Sequence, residues 1–345
     1  MSKLGLLAGL ALVSCSSQSP SSGEPNRPPD DEGATELPLE PYARPSYTTL
    51  SETGLFADLQ QRTPARGVEA FAPSSVLWAD GAEKLRWAAL GPGVIDTSDM
   101  DHWIFPIGTR FWKEFALPEG VLETRLIERY GEGREDYFMG SFVWREDGSD
   151  ADLVPDGQKD VHGTTHDAPP QKQCWSCHQG ERGRVLGFSA LQLSFAPGTR
   201  EGPSLESLSR RGRLSEAPEF DASAPLSRTE PALGYLHTNC GHCHNLSGTA
   251  WPDTQMVLRL AVGETSANES ALYESIVGQP IQYYRAPEGS LRVAPGKPEE
   301  SVLLSRMLER TTKEQMPPLG TKAMDEVGLA LVRGWISGLD ASEQP

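Results

Sequence analysis

The chain has 345 residues, enough for two or three domains of ordinary size. Hydrophobic residues make up 37% and charged residues 23%, while 34 glycines and 28 prolines point to many turns and argue against a long helical bundle. With 31 Lys and Arg against 48 Asp and Glu the formal net charge is −17, which excludes a nucleic-acid partner, because binding phosphate backbones needs a basic footprint.

The first residues read as an address. One cation, Lys3, precedes an apolar run from Leu4 to Val13 that is too short to span a bilayer and fits a secretory signal. The run stops at Leu12-Val13-Ser14-Cys15, which resembles a bacterial lipoprotein signal. The resemblance implies removal of residues 1–14 and acylation of Cys15 as a lipid anchor, each buried CH₂ contributing ~0.8 kcal/mol. Ser16 implies, by the same resemblance, an outer-membrane lipoprotein facing the periplasm. A plain cleaved signal is the competing reading. Residues 15–45, rich in Ser, Pro and acids, are expected to be a disordered tether. No later stretch is apolar enough to span, so membrane contact is expected through the anchor only.

Residues 46–165 are expected to form a β-rich domain. Arg110 to Phe115, Val121 to Tyr130 and Tyr137 to Trp144 are strand-like runs separated by Pro118-Glu119-Gly120 and closed by Asp147-Gly148, a hairpin turn dipeptide. Leu77-Trp78 and Leu85-Arg86-Trp87 are further strand candidates. These intervals suggest an antiparallel sheet or sandwich. Asp147, Asp150 and Asp152 are spaced like part of a calcium loop, although the turn alone explains the Asp-Gly.

Four of the five cysteines form two copies of one pattern: Cys174-Trp175-Ser176-Cys177-His178 and Cys240-Gly241-His242-Cys243-His244. C-x-x-C-H is the attachment signature of c-type haem. Two thiols add to the two vinyl groups, the two intervening residues set their separation, and the following His is placed under the iron. A zinc ribbon wants its pairs roughly 15–20 residues apart, whereas 62 residues separate Cys177 from Cys240. A redox dithiol or a structural disulfide requires no His after either pair. Two covalent haems, with iron, are therefore expected: one on Cys174, Cys177 and His178 in a segment spanning 166–225, the other on Cys240, Cys243 and His244 in a domain spanning 226–341.

That last domain reads as helical. Thr229 can cap a helix with Pro231 in its first turn, and Leu233, Leu236 and Cys240 recur on one face. Pro298 opens another helix with Val302, Leu303, Met307 and Leu308 facing inward, and Asp325 a closing one with Val327, Leu331, Trp335 and Leu339 in a stripe that Val332 and Ile336 widen. Between them lies Gln315-Met316-Pro317-Pro318. This order of parts resembles class I cytochromes c, and the resemblance implies Met316 as the distal thioether ligand. The two prolines stiffen that loop. Met307, Met324 and Met256 are weaker rivals, and His237 and His242 read as hydrogen-bonded or exposed.

Residues 70–340, with FPIGTRFWKEF at 105–115, ETRLIERY at 123–130, HDAPPQKQCWSCH at 166–178, VLGFSALQLS at 185–194 and GYLHTNCGHCHN at 234–245, are similar to an uncharacterised family of bacterial dihaem c-type proteins. The resemblance implies an α+β multidomain chain: an N-terminal antiparallel β-rich domain followed by a small all-α cytochrome c-like domain. No Met-Pro loop follows Cys174, so the distal ligand of the first haem is sought upstream among His166, His162, Met139, Met100 and His102. His166, in a stiff loop close to the motif, is the leading candidate, with a five-coordinate iron as the alternative.

The expected function is electron transfer between redox partner proteins or small redox molecules. A peroxidase-like oxidoreductase with an open first haem is one alternative, and a binding or assembly lipoprotein with structural haem is another. No Ser-His-Asp set, phosphate-cradling loop or pair of catalytic carboxylates stands out.

Overall fold

The structure is a computed structural model that describes residues 43–340, apart from positions 197, 200, 201, 283–285 and 311. The signal sequence, Cys15 and nearly all of the expected tether lie outside the described residues.

Eight strands precede every α-helix: β1 (Phe56–Asp58), β2 (Thr63–Pro64), β3 (Glu69–Ala70), β4 (Glu83–Ala89), β5 (Arg110–Leu117), β6 (Gly120–Arg129), β7 (Tyr137–Trp144) and β8 (Ala151–Leu153). The last six form one antiparallel sheet in chain order, and β1 and β2 pair separately. The sheet is therefore a meander, not a sandwich. The turns sit where the sequence placed them. Leu117 pairs with Gly120 across Pro118-Glu119, and Trp144 pairs with Ala151 across a turn in which Gly148 takes φ +68. Only a residue without Cβ adopts that left-handed conformation at no steric cost. Leu85–Trp87 lies in β4, but Leu77-Trp78 is loop, because its backbone is spent elsewhere: the Trp78 N–H donates to Asn239 Oδ1 at 2.7 Å.

Alternation divides the sheet into two buried faces. Trp87, Trp112, Leu126, Phe138, Phe142 and Trp144 pack on one face against Leu50 and Leu55. The polar ends of two of these rings are satisfied, Trp112 Nε1 donating to Thr53 Oγ1 at 3.1 Å and Trp144 Nε1 to Thr124 Oγ1 at 2.9 Å. On the other face Phe111 joins Phe71, Phe105 and Phe188 in edge-to-face contacts with ring centroids 4.8–6.3 Å apart.

The helices follow: α1 (Gln171–His178), α2 (Leu205–Arg210), α3 (Leu226–Thr229), α4 (Pro231–Asn239), α5 (Trp251–Thr254), α6 (Ala271–Ile276), α7 (Val302–Leu308) and α8 (Glu326–Gly338). Helix α4 has Pro231 in its first turn, but Glu230 occupies the cap position and Thr229 ends α3. A 3₁₀ turn over Pro298–Glu300 precedes α7, which buries Leu304 and Met307 and leaves Leu308 exposed. In α8 the Asp325 carboxylate caps the helix, accepting from the Gly328 N–H at 2.9 Å. The expected Val332 and Ile336 are buried together with Leu329, whereas Val327, expected in the stripe, is 80% exposed.

Leu233, Leu236, Leu258, Leu304, Val332 and Ile336 make the centre of the helical core. Helices α4 and α8 meet at Gly328, where a β-carbon would overlap the Tyr235 ring. Gly328→Ala is therefore expected to destabilise the fold by about 1–3 kcal/mol in urea unfolding. At an open helical position the same change stabilises by roughly 1 kcal/mol, so the sign of the result decides whether this crossing is close-packed.

The described residues group as one compact unit. Arg259 pairs with Glu181, and the Val262 N–H donates to Asp101 Oδ1 at 2.8 Å. Among the described residues no helix is long and apolar enough to cross a membrane.

Candidate functional site

Helix α1 lies against β7, where Gln171 Nε2 donates to the Met139 carbonyl at 2.8 Å, and its last turn carries Cys174, Cys177 and His178. His178 Nδ1 lies 2.6 Å from the Arg184 carbonyl. A carbonyl only accepts, so Nδ1 carries the proton and Nε2 keeps a free lone pair. Arg184 holds that carbonyl in place by bending back, Nη1 donating to the Gln179 carbonyl at 2.5 Å, with its own φ at +59. Burial lowers the His178 pKa to about 4, so the ring is neutral at physiological pH. His178, Cys174, Met139, Lys113, Arg125 and Arg86 line one cavity of about 540 Å³ against the sheet.

The second motif follows α4, with Cys240 at its C-terminal cap. His244 is buried, and its Nδ1 lies 3.3 Å from Thr254 Oγ1. The Thr254 hydroxyl spends its proton on the Ala250 carbonyl at 2.8 Å, so it accepts from Nδ1–H and again leaves Nε2 free. Burial brings His244 down to about 4 as well. An open cleft is lined by Cys240, Cys243, His244 and Met316 together with Met256 and Met307. Met256 and Met307 also pack into the helical core, whereas Met316 sits on a loop held across the cleft. That loop is pinned to the β region, the Lys322 and Ala323 N–H groups donating to Asp80 and Trp78 Nε1 to the Ala323 carbonyl at 3.3 Å. Met324 is 39% exposed and does not line the cleft.

The two motifs touch. Cys243 Sγ lies 4.0 Å from the Ser176 carbonyl, and the neighbouring Cys243 thiol holds the Cys177 pKa below its ordinary value while that of Cys243 is pushed up; all four motif cysteines are free. Thr249 Oγ1 donates to the Ser176 carbonyl at 3.3 Å, and Gly180 lies so close to the His242 carbonyl that no side chain would fit there. Burial pushes Cys174 up and Cys240 up to about 12.

The other sequence candidates have separate partners. His166 Nε2 lies 2.7 Å from Glu123 Oε2, a buried carboxylate that also takes both arms of Arg125 at 2.8 Å, and His166 does not line the His178 cavity. His162 Nε2 donates to the Trp144 carbonyl at 2.7 Å. His102 faces Glu181 at 4.0 Å and Met100 packs under the sheet. His237 Nδ1 accepts the Leu260 N–H at 3.1 Å, and His242 lines both the cleft and an adjoining cavity. Asp150, Asp152 and Asp147 bond Ser51, Arg145 and Ser149 respectively.

The donor sets fit haem c. Each motif offers two free thiols and an imidazole whose tautomer is locked with Nε2 available, at the edge of a cavity. Among the described residues no group of three or more His, Cys, Asp or Glu could hold a metal ion alone, whereas haem iron needs one or two protein donors. Trp78 and the cations of the sheet were not singled out from the sequence; strand alternation put Arg86, Lys113 and Arg125 on definable faces, but only register brings them together. No family model, no curated protein and no solved structure matches this chain.

Proposed function

We propose that the protein is a dihaem c-type electron carrier, with one haem on Cys174, Cys177 and His178 and the second on Cys240, Cys243 and His244. The observation that carries the reading is the pair of histidines with Nδ1–H engaged and Nε2 free, each beside two unpaired cysteines and lining a cavity. When bound, each group supplies reversible one-electron exchange at iron. The chain's own contribution is to fix both imidazoles in the ligating tautomer, to present Met316 from a pinned loop as sixth donor of the second site, and to keep water from the buried rings. A thioether opposite His raises the potential and favours electron transfer over chemistry on a bound substrate. Redox partners, the Cys15 lipid anchor and a periplasm-facing position in the envelope belong to the same proposal, as does the kinship with dihaem c-type proteins and class I cytochromes c. These rest on sequence motifs.

The contact between the two motifs, where Cys243 and Thr249 meet the Ser176 carbonyl, gives the reading a direct test. Haems attached at touching points couple electronically, so the expected circular dichroism of the Soret band is bisignate. A single-signed Soret band from a protein carrying two haems contradicts close approach. A chain with no haem contradicts the reading itself.

One observation favours a second reading. His166 is committed to Glu123 and lies outside the His178 cavity, which leaves room for an open first iron and peroxidase-like chemistry. Cyanide or peroxide altering the spectrum of only one haem would select that alternative.

A further inference from the structure

Three cations stand side by side on the cavity face of the sheet. Arg86 of β4 is paired in register with Lys113 of β5, and Lys113 with Arg125 of β6. Like charges directly opposite each other destabilise a sheet. A buried charge without a partner costs several kcal/mol more. Only Arg125 is compensated, by the Glu123 carboxylate that also holds His166. Arg86 is 7% exposed, and its guanidinium makes one long bond, to the Lys84 carbonyl at 3.4 Å. Lys113 has no ion pair or hydrogen bond among the described residues; its nearest interaction is the Phe115 ring at 5.5 Å. Next in the row, opposite Arg125, the Ser141 hydroxyl is buried without a partner. Arg86 and Lys113 line both the His178 cavity and the one adjoining it.

We propose that Arg86 and Lys113 are the binding site for the two propionate carboxylates of the haem attached at Cys174 and Cys177. This inference rests on the dihaem reading. It matches two uncompensated cations to a group with two carboxylates, and it explains why the row is tolerated. Burial holds the Arg86 pKa down at about 10 and that of Lys113 well below its ordinary value. Both cations are thus short of negative charge until an anion arrives. Electrons feel the same charges, since a cation near the iron disfavours the ferric state.

The test uses the full chain carrying its haems, with Arg86→Gln, Lys113→Met and Arg86→Lys. Covalent attachment keeps the group in place in each variant. Arg86→Gln and Lys113→Met are expected to lower the potential of one haem of the two, to shift its propionate bending mode in the resonance Raman spectrum, and to leave the spin state as in the wild type. Arg86→Lys is expected to restore most of the potential. Potentials and propionate modes that do not move overturn the proposal. So does a change of spin state confined to Lys113→Met, which would make Lys113 an iron ligand. A wild-type potential that follows phosphate concentration would assign the row to a soluble anion and also overturn it. Should the variants fold poorly, the wild-type propionate mode decides alone, at a salt-bridged or a solvated frequency. A wild-type chain with fewer than two haems fails the parent reading instead.

Discussion

Replacing Cys240 and Cys243 together by alanine is expected to halve the haem content, from two per chain to one, and to cost several kcal/mol of stability. The first effect follows from chemistry: without either sulfur no thioether forms, and His244 alone offers a single bond to iron. The second follows from the lining of the cleft. Leu258, Met307 and Leu329 border it along with both cysteines, and an empty cleft leaves that apolar surface facing water at roughly 25 cal/mol per Å². Haem content by pyridine haemochrome and thermal unfolding check the two parts. The double alanine variant at Cys174 and Cys177 is expected to remove the other haem and to turn the Soret dichroism single-signed. Unchanged haem content in either variant would remove the motif concerned from the site.

Met316→Ala is expected to lower the potential of one haem by on the order of 0.1 V, within the roughly 0.8 V range over which axial ligands tune haem iron. Three methionines border the cleft, so the comparison is what informs. Met307 is buried in the helical core, and Met307→Ala is expected to cost about 2–5 kcal/mol of stability with the potential little changed. Met316 lies on a loop secured through Asp80 and Trp78, so its replacement is expected to change the potential and the spin state with a small loss of stability. Redox titration and the spin-state bands of the ferric spectrum measure this. The reverse pattern would move the sixth donor to Met307.

Local signals read correctly from the sequence because their causes are local. The strands at 110–117, 120–129 and 137–144 were legible from alternation and from turn residues whose geometry only Gly and Pro supply cheaply. The C-x-x-C-H spacing is local in the same way, and the haem it would hold is the proposal that the haem measurements test. Long-range pairing was not legible. His166 is near Cys174 in the chain, but its partner is Glu123, 43 residues earlier. Trp78 read as strand, yet its backbone and ring bond to Asn239 and Ala323 and so close the second cleft. On α8 the expected Val332 and Ile336 are buried, but Val327 is exposed and Gly328 is the point of close approach to the Tyr235 ring, which no helical periodicity in α8 itself reveals. The contact between Cys243 and the Ser176 carbonyl joins positions 67 apart, and nothing in either motif announces it.

Intact-mass spectrometry of the protein, exported from cells competent to attach haem, is the most direct measurement. The expected mass is that of the mature chain with its Cys15 acyl groups plus two haems, with no thiol among residues 174, 177, 240 and 243 available to alkylation. A mass equal to the bare chain, with those cysteines either alkylated or joined as a Cys177–Cys243 disulfide, would contradict it.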